Sequence, residues 1–544
     1  MGTRAGAREQ PEDQPRTQHA THDNAARRWF PGTVCAVKAA VSEAEARFDA
    51  IRKRVGLVAS PFVFIAMWFV PLDLSYEAHA LAAVAATTVV LWVTEAIPLA
   101  ATALAAPGVA AMLGVASPEK AFAAFGDPLM FLFIGGFMLA TALSVHGFDR
   151  RAALWLISRK IVAGSTKRAV IVVIVIGFSF SLWISNTATM AMLLPVVMGL
   201  YATIRNVCGD DPDTLRKMDR YGGGMCLALA YASSLGGAGT PIGTAPNVIA
   251  IGMLENSVGV KIDFLEWMTF ALPFSILGAI ALAILILRRF PAPVDRVDGL
   301  ADEVSRQLAE LGPMKRAEKI AVGVFALAIF GWLLPSLLRL ALGEEHTWTV
   351  FTDAYFAEGV VAIACALLLF CLGTGERDAE GEPKRVLTWE DAHSMDWGTM
   401  FLLGGGLALG RMTFETGLAE ALGRGVLDIA GPIAAHPLGL TAASALLVVG
   451  ITELTSNTAT TSMMLPVVIG IATEAGFDAT PVAVTVTLAA SCAFMLPVST
   501  PPNAMAYGTR LIRLDAMFRT GFWLDVVTYA LLLGFAVGVL PMLL

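Results

Sequence analysis

Trp183-Ile-Ser-Asn-Thr-Ala-Thr-Met-Ala-Met-Leu-Leu-Pro-Val-Val197 recurs further along the chain as Leu454-Thr-Ser-Asn-Thr-Ala-Thr-Thr-Ser-Met-Met-Leu-Pro-Val-Val468. Upstream of each copy, Met130-Phe-Leu-Phe-Ile-Gly-Gly136 recurs as Met400-Phe-Leu-Leu-Gly-Gly-Gly406. Both matches share a spacing of about 270 residues, and two long matches in one register mean that the chain is built from two related halves.

Both copies lie in strongly apolar surroundings. Of 544 residues, 56% are hydrophobic and 15% charged, and the mean hydropathy is +0.67. A soluble domain carries about 25% charged residues, so this surplus belongs in a bilayer. The net charge of -7 is small for the length. Basic patches with interleaved aromatics are absent, which argues against nucleic acid as a partner. Cys35, Cys208, Cys226, Cys365, Cys371 and Cys492 are scattered, form no CxxC pair, and suit apolar packing better than a disulfide framework or a zinc site. The polar stretch from Met1 to about Pro31 has no apolar run; it reads as a disordered tail and not as a signal peptide. Residues 34–53 fit an amphipathic helix leading into the membrane.

Apolar runs lie near 55–72, 78–98, 99–116, 129–147, 170–204, 222–254, 268–287, 319–340, 355–373, 397–412, 437–473, 481–507 and 522–544. Three of them, 170–204, 222–254 and 437–473, are too long for one crossing and carry helix breakers near the middle. The flanks of 170–204 are basic on both sides, with Lys167 and Arg168 before it and Arg205, Arg216, Lys217 and Arg220 after it. The run 437–473 has no basic flank between Arg424 and Arg510. By the positive-inside rule the first run enters and returns from the cytoplasm, and the second from outside. The loops 288–319, 377–385 and 510–519 are basic and close the assignment. The expected fold is an all-α polytopic membrane protein of about 11 transmembrane helices plus two re-entrant hairpins in an inverted repeat, with a cytoplasmic N-terminus and an external C-terminus.

Ser185-Asn186-Thr187 and Ser456-Asn457-Thr458 sit about 15 and about 19 residues into their runs, which is near the bilayer midplane at 1.5 Å per residue. Asn and Ser favour caps and turns over helix interiors, so both motifs mark hairpin tips. A tip exposes the free N–H groups of one half-helix and the free C=O groups of the other, and can bind an anion and a cation side by side. Ser and Thr also serve plain helix packing, but two copies at matched sites favour binding. The runs 222–254 and 481–507 break at Gly239-Thr-Pro-Ile-Gly-Thr-Ala-Pro-Asn247 and Pro497-Val-Ser-Thr-Pro-Pro-Asn503. Proline frees upstream carbonyls, and unwound backbone at this depth either lines a cavity or is buried in protein. One register pairs Gly243-Thr244-Ala245-Pro246-Asn247 with Ser499-Thr500-Pro501-Pro502-Asn503; a second pairs Gly239-Thr240-Pro241 with Ser499-Thr500-Pro501.

No Lys or Arg lies between Ala169 and Ile204 or between Gly425 and Thr509, and only Lys261 between Tyr221 and Leu287. A dianion held here finds no side-chain cation nearby in sequence. Helix N-termini offset part of its charge, and bound hard cations on Ser, Thr and Asn oxygens offset the rest. Cation-coupled anion uptake follows; a neutral substrate fits the same absence. Glu95 and Glu453 are intramembrane carboxylates, each either functional or a structural support. Gly135-Gly136 and Gly404-Gly405-Gly406 fit close helix packing. No nucleophile with its base, metal cluster or nucleotide loop is visible, so the chain is not read as an enzyme.

With Trp92-Val-Thr-Glu95, Pro98, the two Ser-Asn-Thr motifs, Thr452-Glu453 and the Thr500-Pro-Pro-Asn503 end of the second break, the sequence resembles the divalent anion:sodium symporter family from about residue 55 onward. The resemblance implies a homodimer in a bacterial inner (plasma) membrane, in contact with lipid, with a scaffold and an elevator-type transport domain in each subunit. It divides the chain into a cytoplasmic tail and amphipathic helix (1–54), scaffold helices (55–166 and 319–435), a cytoplasmic loop (288–318) and transport parts (167–287 and 436–544). It implies one sodium at Ser181, Ser185, Asn186 and Gly243 and another at Thr452, Thr455, Asn457 and Ser499. Substrate carboxylates would meet Ser185, Asn186, Thr187, Thr244, Ala245, Ser456, Asn457, Thr458, Thr500 and Pro501. Ala245 departs from relatives that carry Pro or a polar residue there. The implied activity is sodium-coupled uptake of C4-dicarboxylates such as succinate, malate or fumarate. A sodium-independent exchanger and a citrate or sulfate carrier are family alternatives; a membrane-embedded enzyme and a carrier-like receptor are alternatives from other classes.

Overall fold

The computed structural model describes residues 43–159, 165–207, 211–295, 300–377, 381–431 and 436–538. The expected tail, the start of the expected amphipathic helix, Cys35 and Cys208 lie outside the described residues. From Glu43 the chain is already helical and runs unbroken through the first apolar run to Phe69.

Each half then repeats one order of elements. Asp127 and Asp396 cap the helices Pro128–Val145 and Trp397–Glu415, accepting from the N–H groups of Leu129 and Thr399. Each helix ends at a glycine in the left-handed region, Gly147 at φ 72° and Gly417 at φ 77°, which a side chain would strain. Short helices follow, Phe148–Ile157 and Leu418–Ala430. Next come two paired helices, Thr166–Ser181 with Asn186–Val207 and Pro437–Thr452 with Asn457–Glu474. A broken helix follows in each half, Pro212–Ala238 resuming as Ala245–Val258, and Ala479–Ala490 resuming as Pro501–Gly508. Phe264–Arg289 and Leu514–Gly538 close the two runs.

The paired helices are hairpins because both arms pack along one helix in opposite directions. At the base of the first hairpin, the Tyr221 hydroxyl donates to the Thr166 carbonyl (2.7 Å), while the neighbouring Gly222 abuts Tyr201 of the second arm. Near the tip, Gly236 abuts the Phe178 backbone and Gly237 abuts Asn186. In the second hairpin both arms pack on Ala479–Ala490, and the Thr452 hydroxyl lies 2.7 Å from the Ala490 carbonyl at the tip.

Glycines set the approach of the helices that carry the upstream repeat. A Cβ on Gly135 would lie 2.5 Å from the Ala362 backbone, and one on Gly405 would lie 2.2 Å from the Ala103 carbonyl. Backbones that close admit only glycine without a shift.

Among the described residues, six helices are long and apolar enough to cross a membrane, seven if one bent pair counts as a span. In the bent pair Thr347–Tyr355 and Glu358–Cys371 meet at 70°, and the second helix covers the run expected at 355–373. Leu99–Met112 is also shorter than the run expected at 99–116. The all-α expectation needs one amendment. In the basic loop near 377–385, Gly373–Arg377 pairs antiparallel with Pro383–Arg385, and Gly375 and Gly381 supply positive φ angles.

The helix Phe148–Ile157, outside the apolar runs, buries Asp149 beside the Arg151–Glu318 ion pair (2.6 Å). Burial pushes the Asp149 carboxyl up to about 6, against an opposing bond from the Arg150 N–H (2.5 Å). An acid whose folded pKa is raised contributes stability below its unfolded value, and that contribution is lost as pH rises through the folded value. Asp149→Asn is therefore expected to be more stable than the parent at pH 7–8, by at most about 3 kcal/mol. It should also lack the fall in stability that the parent shows between about pH 4 and about pH 6. Thermal midpoints of the purified protein against pH test this; parallel profiles would refute it.

Candidate functional site

Four helix N-termini converge on one cavity of about 430 Å³. Two belong to the hairpin arms that begin at Asn186 and Asn457. The other two are the resumed halves of the broken helices, capped by Thr244 and Thr500. Both caps are extended, at φ -153° and -143°, and each is followed by Pro-containing first turns. This match selects the register pairing Thr244 with Thr500. The preceding helices end close by, at Ser181, Ala238, Thr452 and Ala490, so their free carbonyls lie behind the same tips. An anion in the cavity meets the positive ends of four helix dipoles, and cations behind it meet the negative ends.

The two tips repeat one hydrogen-bond pattern. Ser181 Oγ donates to Asn186 Oδ1 (2.7 Å), and Thr452 Oγ1 donates to Asn457 Oδ1 (2.8 Å). In the first tip Gly237 and Gly243 let carbonyls crowd in: a Cβ on Gly243 would lie 2.4 Å from the Gly237 carbonyl oxygen and 2.9 Å from that of Ser181. In the second, Ser499 Oγ donates to the Leu496 carbonyl (2.7 Å). Such oxygen clusters suit a hard monovalent cation.

Two asparagines staple the unwound segments. Asn247 Nδ2 donates to the carbonyls of Gly237 (3.0 Å), Ala238 (3.2 Å) and Thr240 (2.7 Å). Asn503 Nδ2 donates to the carbonyls of Ala493 (2.9 Å) and Leu496 (3.1 Å) and to Ser499 Oγ (3.0 Å). Both side chains are fully buried. Thr240 adds a hydroxyl bond to the Leu182 carbonyl in the first half. The second half uses Glu453 instead. Its carboxylate accepts from the N–H groups of Phe494 (2.6 Å), Met495 (2.9 Å) and Leu496 (3.0 Å). Glu453 therefore holds the unwound segment directly. Glu95 ends its helix in the left-handed region at φ 48° and pairs with Arg52 (3.0 Å), away from the cavity.

Of the residues named from sequence, Ser185, Asn186, Thr187, Gly243, Thr244, Ala245, Ser456, Asn457, Thr458, Ser499, Thr500 and Pro501 all line the cavity. Ser181 and Thr452 stand behind the two asparagines. The Thr455 hydroxyl turns aside to the Trp92 carbonyl (3.4 Å) and is not brought to the Thr452–Asn457 pair. Sequence reasoning missed the opposite wall. Pro98, Leu99 and Ala100 come from one helix start, Phe133 and Phe137 from the helix Pro128–Val145, and Gly398, Thr399 and Leu402, with the cap Asp396, from the helix Trp397–Glu415. The Met130 and Met400 repeats were the signal for that wall, since they flag the two helices that bear it. Among the described residues no Lys or Arg lines the cavity, and Asp396 is its one charged lining residue.

The family model described as the sodium:sulfate symporter transmembrane region matches residues 51–544. The sodium-dependent dicarboxylate transporter SdcS of Staphylococcus saprophyticus is 33% identical over 481 residues, which is 87% of this chain and 89% of the relative. Its namesake in Staphylococcus aureus is 31% identical over 497 residues, 90% of this chain and 92% of the relative. Among solved structures, the Neisseria gonorrhoeae antimetabolite efflux pump MtrF superposes with a TM-score of 0.55 at 12% identity, covering 87% of this chain and 96% of that one. The Alcanivorax borkumensis YdaH transporter gives 0.50 at 13% identity, covering 76% and 85%. At such identities the likeness is one of fold alone. With a family model matched over nearly its whole length and full-length relatives above 30% identity, the chain belongs to the divalent anion:sodium symporter family, a group of membrane transporters and not of enzymes.

Proposed function

We propose that this protein is a sodium-coupled symporter of C4-dicarboxylates such as succinate, malate or fumarate. The observation that carries this reading is a cavity with four helix N-termini, two Ser-Asn-Thr tips and no basic lining residue among those described. A dicarboxylate spans the two tips, one carboxylate on Ser185, Asn186, Thr187 and Thr244, the other on Ser456, Asn457, Thr458 and Thr500. Ala245 and Pro501 shape the wall between them. One sodium ion sits at Ser181, Ser185, Asn186 and Gly243, the other at Thr452, Thr455, Asn457 and Ser499, with Thr455 offering backbone in place of its hydroxyl. The relatives named sodium-dependent dicarboxylate transporters support both the ion and the substrate class.

Each asparagine couples the two ligands. Its Oδ1 faces the ion and its amide and helix N-terminus face the carboxylate, so removal of either ligand weakens the hold on the other. Transport then follows from movement of residues 167–287 and 436–544 as one body against scaffold residues 55–166 and 319–435. The Phe133, Phe137 and Leu402 wall belongs to the scaffold, so the cavity lies on the sliding surface. Asp396 lines the cavity and is exposed, and the strands that precede it in sequence are basic, so this reading takes the cavity to open toward the cytoplasm. About 11 spans, two hairpins of opposite entry, a homodimer in a bacterial inner membrane and a cytoplasmic N-terminus complete the reading.

Proteoliposomes loaded with potassium should accumulate labelled succinate under an inward sodium gradient and not under potassium or choline gradients. Equal uptake in all three would sink sodium coupling. Uptake that needs internal dicarboxylate would mark an exchanger, and sodium-driven uptake of labelled sulfate or citrate but not of labelled succinate would move the substrate class.

A further inference from the structure

On the far side of the second tip, outside the cavity lining, two carboxyl groups share one buried pocket. Glu453 and Asp525 are 3% and 4% exposed, and their carboxyls lie within hydrogen-bonding reach of each other. Glu453 is committed to three backbone N–H groups. Asp525, on the helix Leu514–Gly538, has no protein donor at either oxygen. Tyr231, on Pro212–Ala238 in the other half of the molecule, borders the segment that Glu453 holds. Its hydroxyl is fully buried, lies in the field of both carboxyls and has no partner. Its ring packs against Phe494 (5.2 Å between centroids), whose N–H is one of the three held by Glu453.

The repeat does not explain this group. In the register of the Ser-Asn-Thr motifs, the first half has Leu182 where the second has Glu453. The tip sites therefore form without such a pair, and the second half carries an addition. Two carboxylates buried side by side at membrane depth demand a positive charge between them. One shared proton would bond a single Asp525 oxygen, leaving its other oxygen and the Tyr231 hydroxyl bare. A hard cation takes several oxygens at once and satisfies all three.

We propose that Asp525, Glu453 and Tyr231 hold a sodium ion additional to those at the two hairpin tips. The site rests on the sodium-coupled reading above. Through Glu453 the ion braces residues 494–496, which precede the cavity residues Ser499 and Thr500 in the same unwound segment. Its binding would thus order one wall of the substrate site from behind.

Equilibrium binding of radioactive sodium to the purified full-length protein tests this. Asp525→Asn should bind one sodium fewer than the parent. Tyr231→Phe, which removes one neutral ligand and leaves the carboxyls, should weaken one class of site by about three- to tenfold. Asn457→Ala should lose a different ion, so Asn457→Ala combined with Asp525→Asn should lose two. Unchanged stoichiometry in Asp525→Asn together with unchanged affinity in Tyr231→Phe would overturn this site and leave the tip sites standing. Absence of saturable sodium binding to the parent would instead overturn the sodium-coupled reading and this site with it. Should Asp525→Asn fail to fold, Tyr231→Phe decides alone.

Discussion

Asn186→Ala and Asn457→Ala are each expected to abolish sodium-driven dicarboxylate uptake while the protein still inserts and elutes as a folded species. Each asparagine begins a helix whose N-terminus faces the cavity, and each sits against a hydroxyl of the preceding arm, at 2.7 Å from Ser181 and 2.8 Å from Thr452. On the proposed reading, one truncation therefore removes a cation ligand and a substrate donor together. Hydrogen bonds to charged groups contribute roughly 1.5–3 kcal/mol each. Losing two costs about 3–6 kcal/mol, or about a hundredfold or more in uptake at limiting ligand. Neither asparagine holds the fold as Asn247 and Asn503 do, since those two bind the carbonyls of the unwound segments. The same truncation at Asn247 is accordingly expected to lower the thermal midpoint, whereas at Asn186 it should not. Uptake by either tip variant within about threefold of the parent would remove the tips from the binding site.

The Ser-Asn-Thr repeat carried most of the site because its chemistry is local. Asn and Ser beside each other cannot continue a helix cheaply at membrane depth, so the tip, its N-terminus and its free oxygens all follow from five or six residues. The register of the broken helices was legible for the same reason: Thr-Ala-Pro-Asn and Thr-Pro-Pro-Asn each spell a cap followed by proline in the first turn. What stayed hidden depends on residues far apart in sequence. Nothing near Glu453 says that its carboxylate will meet three N–H groups at 494–496, and nothing near Tyr231 points to Asp525. The bend between Tyr355 and Glu358 lies at the edge of the run 355–373, where no proline or glycine precedes Gly359 to mark it. The aromatic cluster of Phe351, Tyr355 and Phe356 packs at that corner. Thr455 shows the limit of motif transfer. Its position matches the family pattern, yet its hydroxyl is engaged by the neighbouring Trp92 carbonyl.

Two adjacent glycines on one helix separate the binding role of the first tip from its structural role. A Cβ on Gly237 would lie 2.1 Å from Asn186 Oδ1, the far end of a side chain that can rotate away. A Cβ on Gly236 would lie 2.3 Å from the Phe178 carbonyl oxygen and 2.9 Å from two further atoms of its backbone, which can yield only if the hairpin arm moves. Gly237→Ala is therefore expected to fold nearly as well as the parent but to displace Asn186 from Ser181. Its half-saturating sodium concentration should rise by about 10- to 100-fold, the loss of one or more bonds to a charged ligand. Gly236→Ala should do the opposite, costing about 1–3 kcal/mol of stability through overpacking, with a smaller effect on sodium dependence in the molecules that remain folded. Thermal midpoints and sodium titrations of uptake on both variants read the two effects separately. If Gly237→Ala loses stability while its sodium dependence stays normal, then Asn186 is a packing residue, and the cation belongs elsewhere than between the arms of the first hairpin.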